Sequence, residues 1–143
     1  MDDDWALPDE SLPEAERLRA YRERGRRCAD NLPEEFVGAL NRCFRDAGGD
    51  AGRFVELVRE RDVWPIPLEA EGNRVDFLFP RCFCEHPPEG EPEPLFCECS
   101  VGWMSEFMRR VSGRPVKVEL LAAVLRQDPH CRLRVVFRGG SDA

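Results

Sequence analysis

The stretch Trp64-Pro65-Ile66-Pro67-Leu68-Glu69-Ala70-Glu71-Gly72-Asn73-Arg74-Val75-Asp76-Phe77-Leu78-Phe79 is where the apolar period of the chain changes from 3.6 to 2. Its two prolines hold Pro65-Ile66-Pro67-Leu68 extended. Glu71-Gly72-Asn73 reads as a turn, and Val75, Phe77 and Phe79 then alternate with Asp76 and Leu78, as the two faces of a strand require. A hairpin of roughly 66–70 with 74–79 is expected.

Before this point the spacing is helical. Ser11-Leu12-Pro13-Glu14 reads as a helix start, Ser11 as N-cap and Glu14 closing a capping box, with the helix running to about Asn31. It carries six arginines between 17 and 27. Its apolar positions are few (Leu18, Tyr21, Cys28), which suits a peripheral or partner-binding helix. A second helix starts at Asn31-Leu32-Pro33-Glu34, proline being harmless in a first turn. Phe36, Leu40, Cys43, Phe44 and Ala47 form its apolar stripe, and Gly48-Gly49 ends it. A third helix spans roughly Ala51–Glu60.

After the first hairpin, a fourth helix begins at Cys99 or Ser100 and stops at Gly113, with Val101, Met104, Met108 and Val111 on one face. Val116, Val118 and Leu120 alternate again, Asp128-Pro129 turns the chain, and Leu133, Val135 and Phe137 return as a strand. The expectation is an α+β domain: an antiparallel sheet of about four strands with helices packed on one face. It would occupy 11–138, helical over 11–62 and a Cys-rich hairpin–helix–hairpin over 63–138. Residues 1–10 form an acidic tail expected to be disordered, and 139–143 a second tail.

At 143 residues the chain has the size of one domain. Its net charge of −7 argues against nucleic acid as the partner, because that mode displaces counterions with surplus cations. No apolar run is long enough to span a membrane. Met1-Asp2-Asp3-Asp4-Trp5 carries acid where an export signal needs base, so a cytoplasmic protein is expected. Lys117 is its one lysine among 21 cations.

Of the seven cysteines, Cys82, Cys84, Cys97 and Cys99 form two Cys-X-Cys pairs. Such density in a reducing compartment points to metal or thiol chemistry rather than disulfides, against the plain alternative of buried small apolar residues. Two thiolates on one zinc lie under ~4 Å apart, whereas i and i+2 on a strand are ~6.6 Å apart. Pairing across the two motifs is therefore easier than within one. Glu85, Glu89, Glu91, Glu93 and Glu98 surround the cluster, a field that favours a bound cation over a reactive thiolate.

From Cys97 onward, Cys99-Ser100-Val101-Gly102-Trp103, Gly113-Arg114-Pro115-Val116-Lys117-Val118-Glu119 and Cys131-Arg132-Leu133-Arg134-Val135 resemble the C-terminal half of the 4-vinyl-reductase domain. That domain also occurs in phenol-sensing modules of bacterial regulators, and the 80–137 block resembles an uncharacterised bacterial family of that type. The resemblance implies a pocket between sheet and helices for a small apolar or aromatic molecule, with Trp64, Phe77, Phe79, Trp103 and Phe107 as candidate lining, joined by Phe83 and Met104. It also implies a zinc site of three Cys and one Glu, to which Cys99, Glu119 and Cys131 correspond. Where the remaining Cys is expected, this chain has Leu120-Leu121-Ala122-Ala123-Val124, leaving Cys97, Cys84 or Cys82 to supply it. Glu119 has a plain alternative as a solvent-facing strand residue.

The leading functional expectation is a small-molecule-binding or sensor-type domain with a Cys-rich zinc site. The alternative is a metal- or cysteine-dependent, hydrolase-like enzyme using the same cluster, with Asp128, His130 and Cys131 as a further grouping. A thiol-redox or metal-handling role is a third. A homodimer or protein partner bound through the Arg-rich helix 12–30 is compatible with each.

Overall fold

The structure, a computed structural model, describes residues 8–9, 11–64, 66–79, 97–122 and 131–137. Its elements are α1 (Glu14–Ala29), α2 (Glu34–Asp46), α3 (Ala51–Glu60), β1 (Leu68–Glu71), β2 (Arg74–Phe79), α4 (Glu98–Ser112), β3 (Val116–Ala122) and β4 (Cys131–Phe137). The four strands form one antiparallel sheet in the order β1-β2-β4-β3. The α+β expectation with helices on one face of a four-stranded sheet is met.

The first hairpin turns at Gly72-Asn73, with Gly72 at φ 61, a conformation glycine adopts without a Cβ clash. Its register pairs Leu68 with Phe77 and Ala70 with Val75. Strand β4 enters beside β2, pairing Val135 with Val75 and Leu133 with Phe77. Asn73 locks this junction: its side-chain amide donates to the Phe137 carbonyl at 3.2 Å, and its own carbonyl accepts from the Phe137 N–H at 3.0 Å. Val75, Phe77, Leu133 and Val135 thus lie on one face, each at most 1% exposed.

Over that face lie α3, against β1 and β2, and α4, against β3 and β4, with α2 touching both helices. Phe54, Leu40, Phe107, Met104 and Met108 fill the space between the layers, and residues from both the helical and the Cys-rich stretches belong to one core. Asp50 caps α3, its Oδ2 accepting from the Arg53 N–H at 2.8 Å, the satisfaction a first-turn donor needs. Gly113, at φ 71, ends α4 in the left-handed region.

Two helix starts differ from the sequence expectation. Pro13, not Ser11, is the N-cap of α1. Ser11 instead turns on Asp9, giving both its N–H and its hydroxyl to Asp9 Oδ1 at 2.9 Å, a local bond that competes with capping. Helix α4 begins at Glu98, with Cys97 rather than Cys99 or Ser100 as its N-cap. Its first turn is held from outside, by the ion pair of buried Glu98 with Arg22 at 3.0 Å.

Helix α1 is not peripheral. Despite its sparse apolar positions it packs along α4, backbone against backbone. A Cβ built on Gly25 would stand 1.8 Å from the Cys99 carbonyl oxygen, and one on Gly102 would stand 1.8 Å from the Arg22 carbonyl oxygen. Tyr21, Arg24 and Ala29 are buried along the same contact, and Arg110 Nη1 donates to the Ala29 carbonyl at 3.0 Å, closing the end of α1.

The opposite face of the sheet carries a ladder of charge. Asp76, 4% exposed, accepts from Arg134 Nε at 2.8 Å and Arg132 Nε at 2.9 Å, and Arg132 Nη2 reaches on to Glu69 at 2.8 Å. The first helix, expected to run to about Asn31, ends at Ala29 with Asp30 as its C-cap, while Asp128-Pro129, 139–143 and all of 1–10 except Pro8 and Asp9 lie outside the described residues. No described helix is long and apolar enough to cross a membrane.

Candidate functional site

Trp64 follows the end of α3, and its indole is the hub of an aromatic cluster. Its ring centroid lies 5.4 Å from Phe36 of α2, 5.6 Å from Phe77 and 6.1 Å from Phe79 of β2, and 6.5 Å from Trp103 and 5.4 Å from Phe107 of α4. Trp103 and Phe107 stack at 4.9 Å, and Phe36 lies parallel to Phe107 at 5.7 Å. Edge-to-face and offset-stacked pairs of this kind are the arrangements the ring quadrupole favours.

All five residues singled out from the sequence are therefore brought together, although they come from three separate stretches. Phe77, Phe79, Trp103 and Phe107 are buried, whereas Trp64 and Phe36 are half-buried. Met104 is wholly buried in the core. Phe36 is the residue that pattern reading missed as a site candidate. It sits on the apolar stripe of α2, and nothing in its spacing distinguishes it from core.

Cysteine chemistry gathers at the same end of the domain. Cys99 lies one turn before Trp103, and Cys131 opens β4 opposite Phe79. Cys97, Cys99 and Cys131 are all buried, at 3%, 7% and 3% exposure. Arg24 of α1, itself 6% exposed, donates to Cys99 Sγ at 3.4 Å. A guanidinium held in the interior needs a polarisable or anionic acceptor, and the Cys99 sulfur is one. Cys82, Cys84, Phe83, Asp128 and His130 lie outside the described residues.

Glu119 does not join these cysteines. On β4, Cys131, Leu133 and Val135 face the helices, while Glu119 stands opposite Arg134 on the outward face, because strand side chains alternate. Its carboxylate lies 3.7 Å from Lys117 Nζ and is 42% exposed. The ligand set Cys99–Glu119–Cys131 implied by the resemblance therefore does not fit one zinc ion, since the sheet stands between its members. Among the described residues no group of three or more His, Cys, Asp or Glu is placed to hold a metal.

Two clefts border other surfaces. One, about 560 Å³, runs between α1, α4 and the outer edge of β3, bordered by Arg22, Arg26, Glu98 and Ser105. The other, about 270 Å³, lies over the charge ladder around Asp76, where each carboxylate already has its arginine. No family model matches the chain, and no curated protein is significantly similar to it.

Proposed function

We propose that this chain is a small-molecule-binding, sensor-type domain that seats an apolar or aromatic ligand against Trp64, with a Cys-rich end that holds zinc. The observation that carries the reading is the half-buried Trp64, around which rings from α2, β2 and α4 converge. Binding sites for such ligands are lined chiefly by apolar and aromatic side chains on a rigid frame, and the cluster supplies both. An aromatic guest entering from the side of Phe36 would exchange water for ring faces already held in place.

Saturable change of tryptophan fluorescence on titration with phenol is the expected result. Trp64→Ala should weaken it roughly tenfold or more, as truncating a central aromatic anchor does, while circular dichroism stays unchanged because Trp64 is only half-buried. A linear, unsaturable response, or equal affinity in the variant, sinks the reading.

The zinc part draws on Cys82 and Cys84 together with one or two of Cys97, Cys99 and Cys131, since those three do not form a metal-holding group by themselves. When bound, zinc in an all-thiolate site supplies folding free energy and ties separate chain segments together. Arg24 then orients the Cys99 sulfur from the second side. Elemental analysis of protein purified without chelator should give about one zinc per chain, with Cys97 and Cys99 protected from thiol reagent and the metal lost in Cys99→Ser. Metal-free protein with reactive thiols removes zinc from the proposal and leaves the Trp64 site to be judged by its own titration.

A further inference from the structure

Strand β3 is an edge of the sheet, and among the described residues nothing pairs with its outer side. The apolar residues on its inner face remain half-exposed. Val118 and Leu120 are aligned with Val135 and Leu133, yet those two are wholly buried and the β3 pair is not. The 560 Å³ groove runs along this edge. Leu121, next to it, is 45% exposed, the one large apolar side chain so exposed among the described residues.

An open edge of this kind invites another strand. The sequence of β3 states which strand fits. It reads Val116-Lys117-Val118-Glu119-Leu120, then an irregularity between Leu120 and Ala122, so the regular part is those five residues. Centred on Val118, they are their own antiparallel complement. Lys117 falls opposite the partner's Glu119, Glu119 opposite the partner's Lys117, Val116 opposite the partner's Leu120, and Val118 meets its own copy on the two-fold axis. Leu121 falls opposite the partner's Pro115. Every apolar residue meets an apolar one, and every charge its opposite.

The outward face adds a second reason. The rung Glu69, Asp76, Arg134, Glu119 runs across all four strands. With Arg132 and Lys117, whose Nζ lies 3.7 Å from Glu119, it sets three carboxylates against three cations, and it ends at the open edge on the Lys117–Glu119 pair. In the paired dimer each lysine meets the partner's Glu119 across the edge as well as its own.

We infer that β3 is a homodimer interface, in which two copies pair antiparallel about Val118 to make one eight-stranded sheet with Lys117 and Glu119 exchanged as cross-strand ion pairs. Such an isologous contact is closed and makes the dimer, not a fibre. The bulge at Leu121 and the single lysine of the chain limit how far the pairing can slide.

Sedimentation velocity over a concentration series tests this on the full chain. The wild type is expected to associate to a dimer. Lys117→Glu and Glu119→Lys each place two like-charged pairs at the interface and should weaken the dimer by roughly tenfold or more. The double variant K117E/E119K restores the complement between the copies and should bind more tightly than either single variant, short of the wild type by the cost of a lysine opposite Arg134. Recovery cannot come from a folding defect, and Lys117 is more than half exposed, so its reversal leaves the fold intact. A monomeric wild type, single variants that dimerise like the wild type, or a double variant no better than the singles would each overturn the proposal. A dimer held through α1 gives the second of these results.

Discussion

Replacing Gly25 with Ala is expected to cost more than about 3 kcal/mol of stability, beyond the ordinary range for overpacking. The added carbon would stand 1.8 Å from the Cys99 carbonyl oxygen, 2.7 Å from its carbonyl carbon and 2.9 Å from the Trp103 nitrogen. All three are backbone atoms of α4, so no rotamer change relieves the clash and the helices must move apart. Separation also strains the Arg22–Glu98 pair and the Arg24–Cys99 contact, which flank the crossing. Gly102→Ala meets the Arg22 backbone in the same way and should behave alike. The control is Gly38→Ala in the interior of α2. There a Cβ would find only the tip of Arg42, at 3.7 Å, and the higher helix propensity of alanine should stabilise by about 0.5–1 kcal/mol. Urea unfolding of the three variants decides it. If Gly25→Ala and Gly38→Ala shift the midpoint in the same direction, the close crossing of α1 and α4 is wrong.

The second large effect belongs to Asp76. Asp76→Asn should lower stability by about 2–3 kcal/mol, less than the ~3–5 kcal/mol of a fully buried pair because Arg132 and Arg134 keep some contact with water. Their side chains are 29% and 24% exposed, against 5% for Asp76. The amide cannot accept all three charge-assisted bonds, and it turns an N–H₂ group toward a guanidinium.

The loss should depend on pH in a defined direction. Burial pushes the Asp76 carboxyl up, but the hydrogen bonds and charges of Arg134 and Arg132 outweigh it and hold the group below its ordinary value of 3.8. A carboxyl depressed on folding contributes stability that is fully present above its unfolded pKa and disappears as pH falls through its folded one. The difference between wild type and Asp76→Asn should therefore be constant from neutral pH down to roughly 5 and shrink below roughly 4. A difference that grows on acidification contradicts the ion-pair ladder.

Much of this architecture is legible in local pattern. The boundaries of α3, the turn at Gly72-Asn73 and the stop of α4 at Gly113 follow from propensity and φ preference, which neighbouring residues settle among themselves. The aromatic site was legible as a set of residues but not as an arrangement, because Phe36 carries no mark beyond helical spacing. The buried Arg24 and the contact at Gly25 and Gly102 were not read at all. The available signal was a glycine in the interior of each of two helices, which local propensity disfavours and only a close neighbour explains.

Periodicity, turns and helix ends are short-range properties, so the sequence by itself determined the element types, the two-faced strands and the α+β class. Whether β4 pairs with β2 as well as β3, which helix lies against which, and on which side of the sheet each polar residue falls depend on contacts between distant segments. Glu119 is the clearest case. Its motif position suggested a ligand beside Cys131, but strand alternation and the register with Arg134 put the sheet between them. The same register leaves Lys117 and Glu119 together on an open edge, a juxtaposition that pairing with β4 alone creates.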